Sequence, residues 1–412
     1  MKRNIKLFLT AMAAVIFLVT CSKIDDGEPD LTPKNLNFTA MALQTIESSN
    51  DFGIDLFTKV AETERVNLML SPLSASMALT MLLNGCDGDT YTQLQETLKY
   101  PSGMTTGDIN EAYNSLVDQL LNADPKVKLA LANAIFYHNG FVVKQPFLAT
   151  MNNDYKATVE ALNFAAPAAL NTINKWAGDN TNGKIPKVLD EIDPLMVMFI
   201  MNALYFKGDW SYRFDKSKTN DRPFLPDGGS TVNVSTMFSE VGAKVVSGND
   251  YRAVEMPYGR SNFTMVVIVP KTTLAEFNST FTSQTWNSVT GVFDDTDEFE
   301  KYSVYMPKFK FSYEKYLNDQ LKSMGMLDAF LAGKADLSGI SDQGIFVSFV
   351  KQNTFVEVDE KGTEAAAVTT IGMRAVSLDP RIFLVDKSFI FAIRERTTNT
   401  LLFIGQVVKP EV

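Results

Sequence analysis

Hydrophobic positions recur with a helical period in several stretches of the first third of the chain. Over residues 51–61, Phe52, Leu56, Phe57 and Val60 share one face, which predicts an amphipathic helix. Ser71 and Pro72 then supply a cap and a first-turn proline for a helix through Met77 to Leu83. That helix is apolar nearly all round, so it is expected at the centre of the molecule. Residues 90–98 and 108–121 predict two more helices. Residues 128–137 and 195–206 are continuous apolar runs, and period alone allows either a buried helix or a central strand. Residues 345–350 and 354–358 alternate as strands do, and a further apolar run occupies 382–393.

Between those last runs lies the stretch 357–380, EVDEKGTEAAAVTTIGMRAVSLDP. Gly362 gives it a flexible joint. Surface connections normally carry Gly, Pro, Asn and Asp for their turns. Residues 363–370 carry none of these, and Glu364 is their one charge. In period two, Thr363, Ala365, Ala367, Thr369, Ile371, Met373 and Ala375 form one set. Glu364, Ala366, Val368, Thr370, Gly372, Arg374 and Val376 form the other, which holds every charge. In a strand these sets face opposite sides, so the stretch can enter a sheet with its odd set buried. An Ala-rich helix is the competing reading, opposed by Thr363, Val368, Thr369, Thr370, Ile371 and Gly372. An ordinary long loop is the other.

The amino terminus changes the picture. Lys2, Arg3 and Lys6 precede an apolar run over 7–19 that is too short for an ordinary membrane-spanning helix of ~20 residues. It ends in Leu18-Val19-Thr20-Cys21, similar to a bacterial lipoprotein cleavage box in which Cys21 becomes the lipidated first residue. Thr20 is larger than the Gly or Ala usual there; a plain secretion signal is the alternative. Ser22-Lys23-Ile24-Asp25-Asp26 is similar to tags that send lipoproteins to the outer surface. Residues 1–20 are thus expected to be signal peptide, 21–40 a tether and 41–412 one domain, with 45% hydrophobic residues to build its core. The formal charge is −10; without the three cations of the signal it is −13. Such a chain is a poor nucleic-acid binder. With Cys21 lipidated, Cys86 stands alone as a buried filler and no disulfide is expected. The expected place is the bacterial cell envelope, lipid-anchored at the outer membrane, with either face left open.

Glu360-Lys361-Gly362-Thr363-Glu364-Ala365-Ala366-Ala367 resembles the hinge of the reactive-centre loop of the serpin family. Phe389 to Ile393, Asn399 to Gly405 and Pro410 are similar to that family's C-terminal signature. Ser71 and Ser74 resemble its shutter serines, and Asn133 to Phe136 and Asn202 to Trp210 two central strands. Trp210 resembles the tryptophan of the breach. Residues 173–176 and 181–185 are similar to the helix across the sheet and its exit turn. Val304 to Phe309 then leads to a helix near 313–321. The resemblance covers residues 45–410. It implies an α+β serpin fold: a large central mixed β-sheet, two smaller sheets, eight or nine helices and an exposed reactive-centre loop at about 360–380. The shutter then comprises Ser71, Ser74, Asn202 and Gln352, where the family usually has His in place of Gln352. Gln both donates and accepts, but does not titrate near neutrality. Loop insertion and release of stored strain are established properties of the family.

Catalytic chemistry is sparse. His138 is the one histidine, so a Ser-His-Asp enzyme must use it, and no Gly-x-Ser-x-Gly elbow accompanies it. There is no CxxC, HExxH or phosphate-binding glycine loop, and no cofactor or metal is expected. Carboxylates at 294, 295, 297, 298 and 300 lack calcium-loop spacing and read as a solvated loop. The expected function is suicide inhibition of serine proteases, with cysteine proteases as a second class, by a monomer. A non-inhibitory serpin-fold substrate or binding module is the alternative. Counted from Gly362, the reactive bond is Val376–Ser377; counted from Phe389, it is Ser377–Leu378. Val376 suits an elastase-like pocket, Arg374 a trypsin-like one, and Met373 and Ala375 are further sites.

Overall fold

The computed structural model describes residues 29–296, 298–363 and 381–411. Nine α-helices lie among them. The first four are α1 Ala40–Ala61, α2 Pro72–Leu83, α3 Gly88–Thr97 and α4 Thr106–Leu121. The rest are α5 Gln145–Asn153, α6 Pro167–Asn180, α7 Leu274–Asn278, α8 Ser283–Asp294 and α9 Asn318–Ser323. Ser71 caps α2, its Oγ accepting from the Ser74 N–H, and α2 is buried along almost its whole length. Helix α1 begins well before residue 51, capped by Thr39. Its early buried face mixes Ala42 and Ile46 with Thr45, Ser48, Ser49 and Asn50, which blurs the period. Ser48 donates to the Lys99 carbonyl, Ser49 meets Ser76, and Asn50 bonds the backbone of Asn399 and Leu401.

Both ambiguous runs are strands. β1 is Leu68–Leu70, β2 Val127–His138, β3 Thr158–Leu162 and β4 Met198–Gly208. β2 lies antiparallel to β4 and parallel to β3, a three-stranded sheet crossed by α6. Phe136, Phe164, Ile173 and Phe199 pack between sheet and helix.

The largest sheet has nine strands and is mixed. Its other members are β5 Asn220–Phe224, β6 Val232–Ser247, β7 Tyr251–Pro257, β8 Phe263–Pro270, β9 Glu300–Pro307, β12 Ile382–Leu384, β13 Phe389–Glu395 and β14 Thr400–Val407. β8, β13 and β14 are buried at every position. Arg394 on β13 is wholly buried between Glu255 and Asp294, at 2.7 Å from each. Burial alone would lower its pKa; the two carboxylates raise it above the ordinary arginine value.

β10 Phe309–Tyr316 and β11 Lys351–Val358 form an antiparallel pair. Residues 313–316 are therefore strand, where a helix was expected; the helical part is α9 alone. Phe-Lys-Phe-Ser-Tyr-Glu-Lys-Tyr alternates with period two and pairs in full with β11. Residues 345–350 alternate too, yet form no strand. β4 and β11 belong to separate sheets, and their edges border a slot.

Candidate functional site

The slot is closed at one end by the residues that follow β11. Asp359 to Gly362 make a tight turn, with the Asp359 N–H donating to the Gly362 carbonyl. Asp359 Oδ1 accepts from the Lys361 and Gly362 N–H groups, as an aspartate at a turn start does. Gly362 sits at φ +154°, and a Cβ there would lie 2.1 Å from the Gly208 carbonyl oxygen. No side chain fits. The turn sends Thr363 back along β11, where it bridges Val358 antiparallel and donates its N–H to the Gly208 carbonyl.

Trp210 holds this turn from the β4 side. Its indole N–H donates to the Asp359 carbonyl and its backbone N–H to that of Lys361. Its ring stacks on Tyr258 with centroids 4.4 Å apart. The Tyr258 hydroxyl lies 2.8 Å from Thr363 Oγ1, and both residues are buried. Glu360 is buried with Lys308 at 3.1 Å and accepts from Thr219 Oγ1. Burial alone would raise its pKa; backbone, Thr219 and Lys308 contacts bring it below the ordinary glutamate value. Asp359 moves the other way, raised by burial and by Glu360 despite its two N–H donors.

Below the turn, β4 and β11 are separated by a cavity of about 570 Å³. Residues 196–204 line one side and 345–354 the other, with Leu79 and Leu82 of α2 at the core. A smaller cavity continues toward Thr363 between Phe206 and Val356. The shutter residues lie midway. Gln352 Oε1 accepts from the Ser71 N–H at 2.9 Å, and its Nε2 donates to the Ser71 carbonyl at 3.0 Å. Ser71 Oγ donates to the Leu402 carbonyl, and Ser74 is buried on the next turn of chain. Across the slot, Asn202 Nδ2 donates to Asn133 Oδ1, and Asn133 Nδ2 donates to the Tyr155 carbonyl. Among the described residues, Asn202 Oδ1 is buried without a hydrogen-bond partner.

Ser71, Ser74, Gln352, Asn202, Trp210, Glu360, Gly362 and Thr363 thus border one slot. Sequence reading missed Tyr258, Thr219 and Lys308, which grip the hinge; nothing in their local pattern distinguishes them. Cys21, Glu364, Ala365, Ala366, Ala367, Met373, Arg374, Ala375, Val376 and Ser377 lie outside the described residues. His138 ends β2, where its Nδ1 accepts from the Gly140 N–H and its ring meets Phe164 edge-on. Cys86 is a half-buried free thiol, its pKa pushed up to about 12 by burial and by Asp336. Residues 30–37, within the stretch expected to be tether, lie on the body: Asp30 pairs with Arg260, and the Lys34 backbone N–H and carbonyl bond the Asn262 side-chain amide.

A family model described as serpin (serine protease inhibitor) matches residues 47–410. The chain belongs to the serpin family, and its fold is the serpin fold. It is 30% identical to an uncharacterized serpin-like protein of Methanosarcina mazei, over 99% of this chain and 98% of that protein. It is 32% identical to a leukocyte elastase inhibitor of Xenopus laevis, over 87% and 97%. Among solved structures, the thermophilic serpin tengpin in its native state superposes with TM-score 0.79 at 31% identity, covering 92% of this chain and 96% of that one. Thyroxine-binding globulin in complex with thyroxine gives 0.80 at 28%, covering 89% and 99%. Serpins are mostly protease inhibitors.

Proposed function

We propose that this chain is a suicide-type inhibitor of serine proteases, not an enzyme. One observation carries the reading: Thr363 already occupies the first position of an extra strand in the slot, paired toward both β4 and β11. The two bridges, Gly362 with Asp209 and Thr363 with Val358, fix an antiparallel register on each side. Extended downward, the register sets Ala365 between Phe206 and Val356, and Ala367 between Leu204 and Thr354. Thr369 then falls between Asn202 and Gln352 on both counts. Every odd residue enters the core-facing row, where two walls of larger side chains leave room for Ala and Thr. The Thr369 hydroxyl arrives beside the buried Asn202 Oδ1, which needs a donor.

In the inhibitory reaction, the protease serine Oγ attacks the Val376 carbonyl carbon. The Val376–Ser377 C–N bond breaks, Ser377 leaves as an amine with the transferred proton, and an ester remains. Insertion must outrun water at that ester. Fourteen residues from Thr363 to Val376, at ~3.3 Å each, reach roughly 46 Å. β4 offers eleven residues and β11 eight for new pairing. At ~0.5–1.5 kcal/mol per net hydrogen bond the gain is on the order of 10–20 kcal/mol, comparable to a domain's whole stability. Dragging the protease distorts its oxyanion hole, and the ester persists.

Val376 favours elastase-like targets, in keeping with the elastase inhibitor among the relatives. Arg374 extends the range to trypsin-like enzymes, and cysteine proteases are the second class. A non-inhibitory binding role, as thyroxine-binding globulin shows for the fold, remains the second reading. The hinge row disfavours it, because neither Ala365 nor Ala367 is bulky or charged. The test mixes the mature protein with an elastase-like protease under denaturing electrophoresis. A covalent band is expected for the wild type and free cleaved inhibitor for Ala365→Glu, which buries an unpaired charge. Cleavage with no covalent band in the wild type would refute the proposal.

A further inference from the structure

The segment ahead of α1 is clamped to the body by two side-chain amides. The Lys34 N–H donates to Asn262 Oδ1 at 2.7 Å, and Asn262 Nδ2 donates back to the Lys34 carbonyl at 2.8 Å. Gln119 of α4 holds Asn37 in the same way, at 2.8 and 2.7 Å. Each amide meets both the donor and the acceptor of one backbone residue, as a neighbouring strand would. Ser261 Oγ donates to the Leu31 carbonyl, Lys34 Nζ donates to that of Asn122, and Asp30 pairs with Arg260. Leu36 and Phe38 pack on the main core. Ser261 and Asn262 are buried, so the clamps are rooted in the body.

This strap begins at the hinge end of the molecule. Arg260, Ser261 and Asn262 belong to the turn between β7 and β8, which starts at Tyr258. In that turn the Gly259 N–H donates to the Asp209 carbonyl, while Tyr258 stacks on Trp210 and meets Thr363. Leu195 lies at the other end of the slot, beyond the eleven residues of β4, which span ~36 Å. Length then decides orientation. A free tether from residue 21 to residue 40 would reach roughly 65 Å and let either end of the body face an anchor at Cys21. With the strap clamped, nine steps separate Cys21 from Asp30, a reach of about 30 Å. That is shorter than β4, so the lower end cannot be the end at the anchor.

We infer that the hinge end of this protein faces the lipid surface that holds its anchor, and that residues 30–37 are the strap that sets this orientation. The inference rests on lipidation of Cys21. The partner is the headgroup layer of a bilayer. Lys126 precedes the first residue of β2, which pairs with Gly208 at this end. Lys34 and Lys126 are both exposed, and they meet an anionic layer favourably although the chain as a whole is acidic. Thr363 and the hinge are thereby placed on the membrane side.

Energy transfer to an acceptor in the headgroups of phosphatidylglycerol-containing vesicles tests this. A donor dye is placed on Lys126→Cys or on Leu195→Cys, each in a Cys86→Ser background of the lipidated protein. Transfer from position 126 is expected to exceed that from 195 at least roughly twofold, because β4 separates the two by ~36 Å. Equal transfer, or more from 195, overturns the orientation. A flexible spacer of about twenty Gly and Ser residues after Asp26 should erase the difference. A difference that survives the spacer overturns the strap as its cause. The anchor is also supplied independently, by a polyhistidine tag in place of residues 1–21 on a nickel-chelating lipid. The same difference is expected there, and equal transfer there overturns the orientation as well. If the difference appears there while the untagged protein fails to float with the vesicles, lipidation of Cys21 is what fails and the strap assignment stands.

Discussion

At Gly362, residue identity is set by backbone contact. A methyl group would strike the Gly208 carbonyl at 2.1 Å and the Trp210 backbone nitrogen at 2.9 Å. Gly362→Ala should therefore loosen the hinge and cost at least ~2 kcal/mol of native stability; urea unfolding followed by tryptophan emission measures it. An unchanged midpoint would mean that the turn is not held as described. Asp359 and Glu360 make opposite acid responses. Glu360, with a lowered folded pKa, contributes stability that is complete above its unfolded value near ~4.3 and is lost as pH falls through the folded one. Asp359, with a raised folded pKa, gains stability as pH falls through that raised value. Asp359→Asn keeps the turn's acceptor and removes the gain, so stability, measured by urea unfolding at a series of acid pH values, should fall more steeply as pH drops than in the wild type. Glu360→Gln should flatten that fall. Gly362 and Glu360 were legible in sequence because their neighbours form a motif; Tyr258 was not, since its partner Thr363 is 105 positions away.

Among the elements, the core helix α2 and its cap were readable because cap, proline and apolar run are adjacent. The start of helix α1 was not legible, because its buried Ala42 and Ile46 are followed by hydrogen-bonded Ser48, Ser49 and Asn50, which break the apolar stripe. Residues 313–316 were misassigned as helix, although Phe311, Tyr313 and Lys315 alternate as a strand does. That the stretch after Gly362 could enter a sheet was legible from its period of two; where β4 and β11 part was not, because each edge is apolar enough to be central. The coincidence of both registers on Thr369 gives the slot a specific test. Thr369→Val keeps the side-chain shape but leaves Asn202 Oδ1 without its donor. Covalent inhibition should survive, while the loop-cleaved form should lose ~1–3 kcal/mol against the cleaved wild type. Equal stability of the two cleaved forms would place Thr369 elsewhere.

For the whole molecule, the order of elements and the position of the hinge were legible from residues 45–410, because family signatures fall in sequence along nearly all of it. The anchor belongs to this scale too. We expect Cys21→Ala to move the protein from the membrane to the soluble fraction on cell lysis; an unchanged membrane fraction would exclude lipidation as the anchor. The central claim is that the uncut molecule is a kinetic trap whose slot awaits its own loop. Thermal unfolding of the mature domain before and after a single cut in the loop tests it most directly, with Ala365→Glu as the control. The account predicts a cleaved wild type that melts far above the uncut one, and a cleaved Ala365→Glu that does not. A cleaved wild type melting at or below the uncut temperature would contradict it.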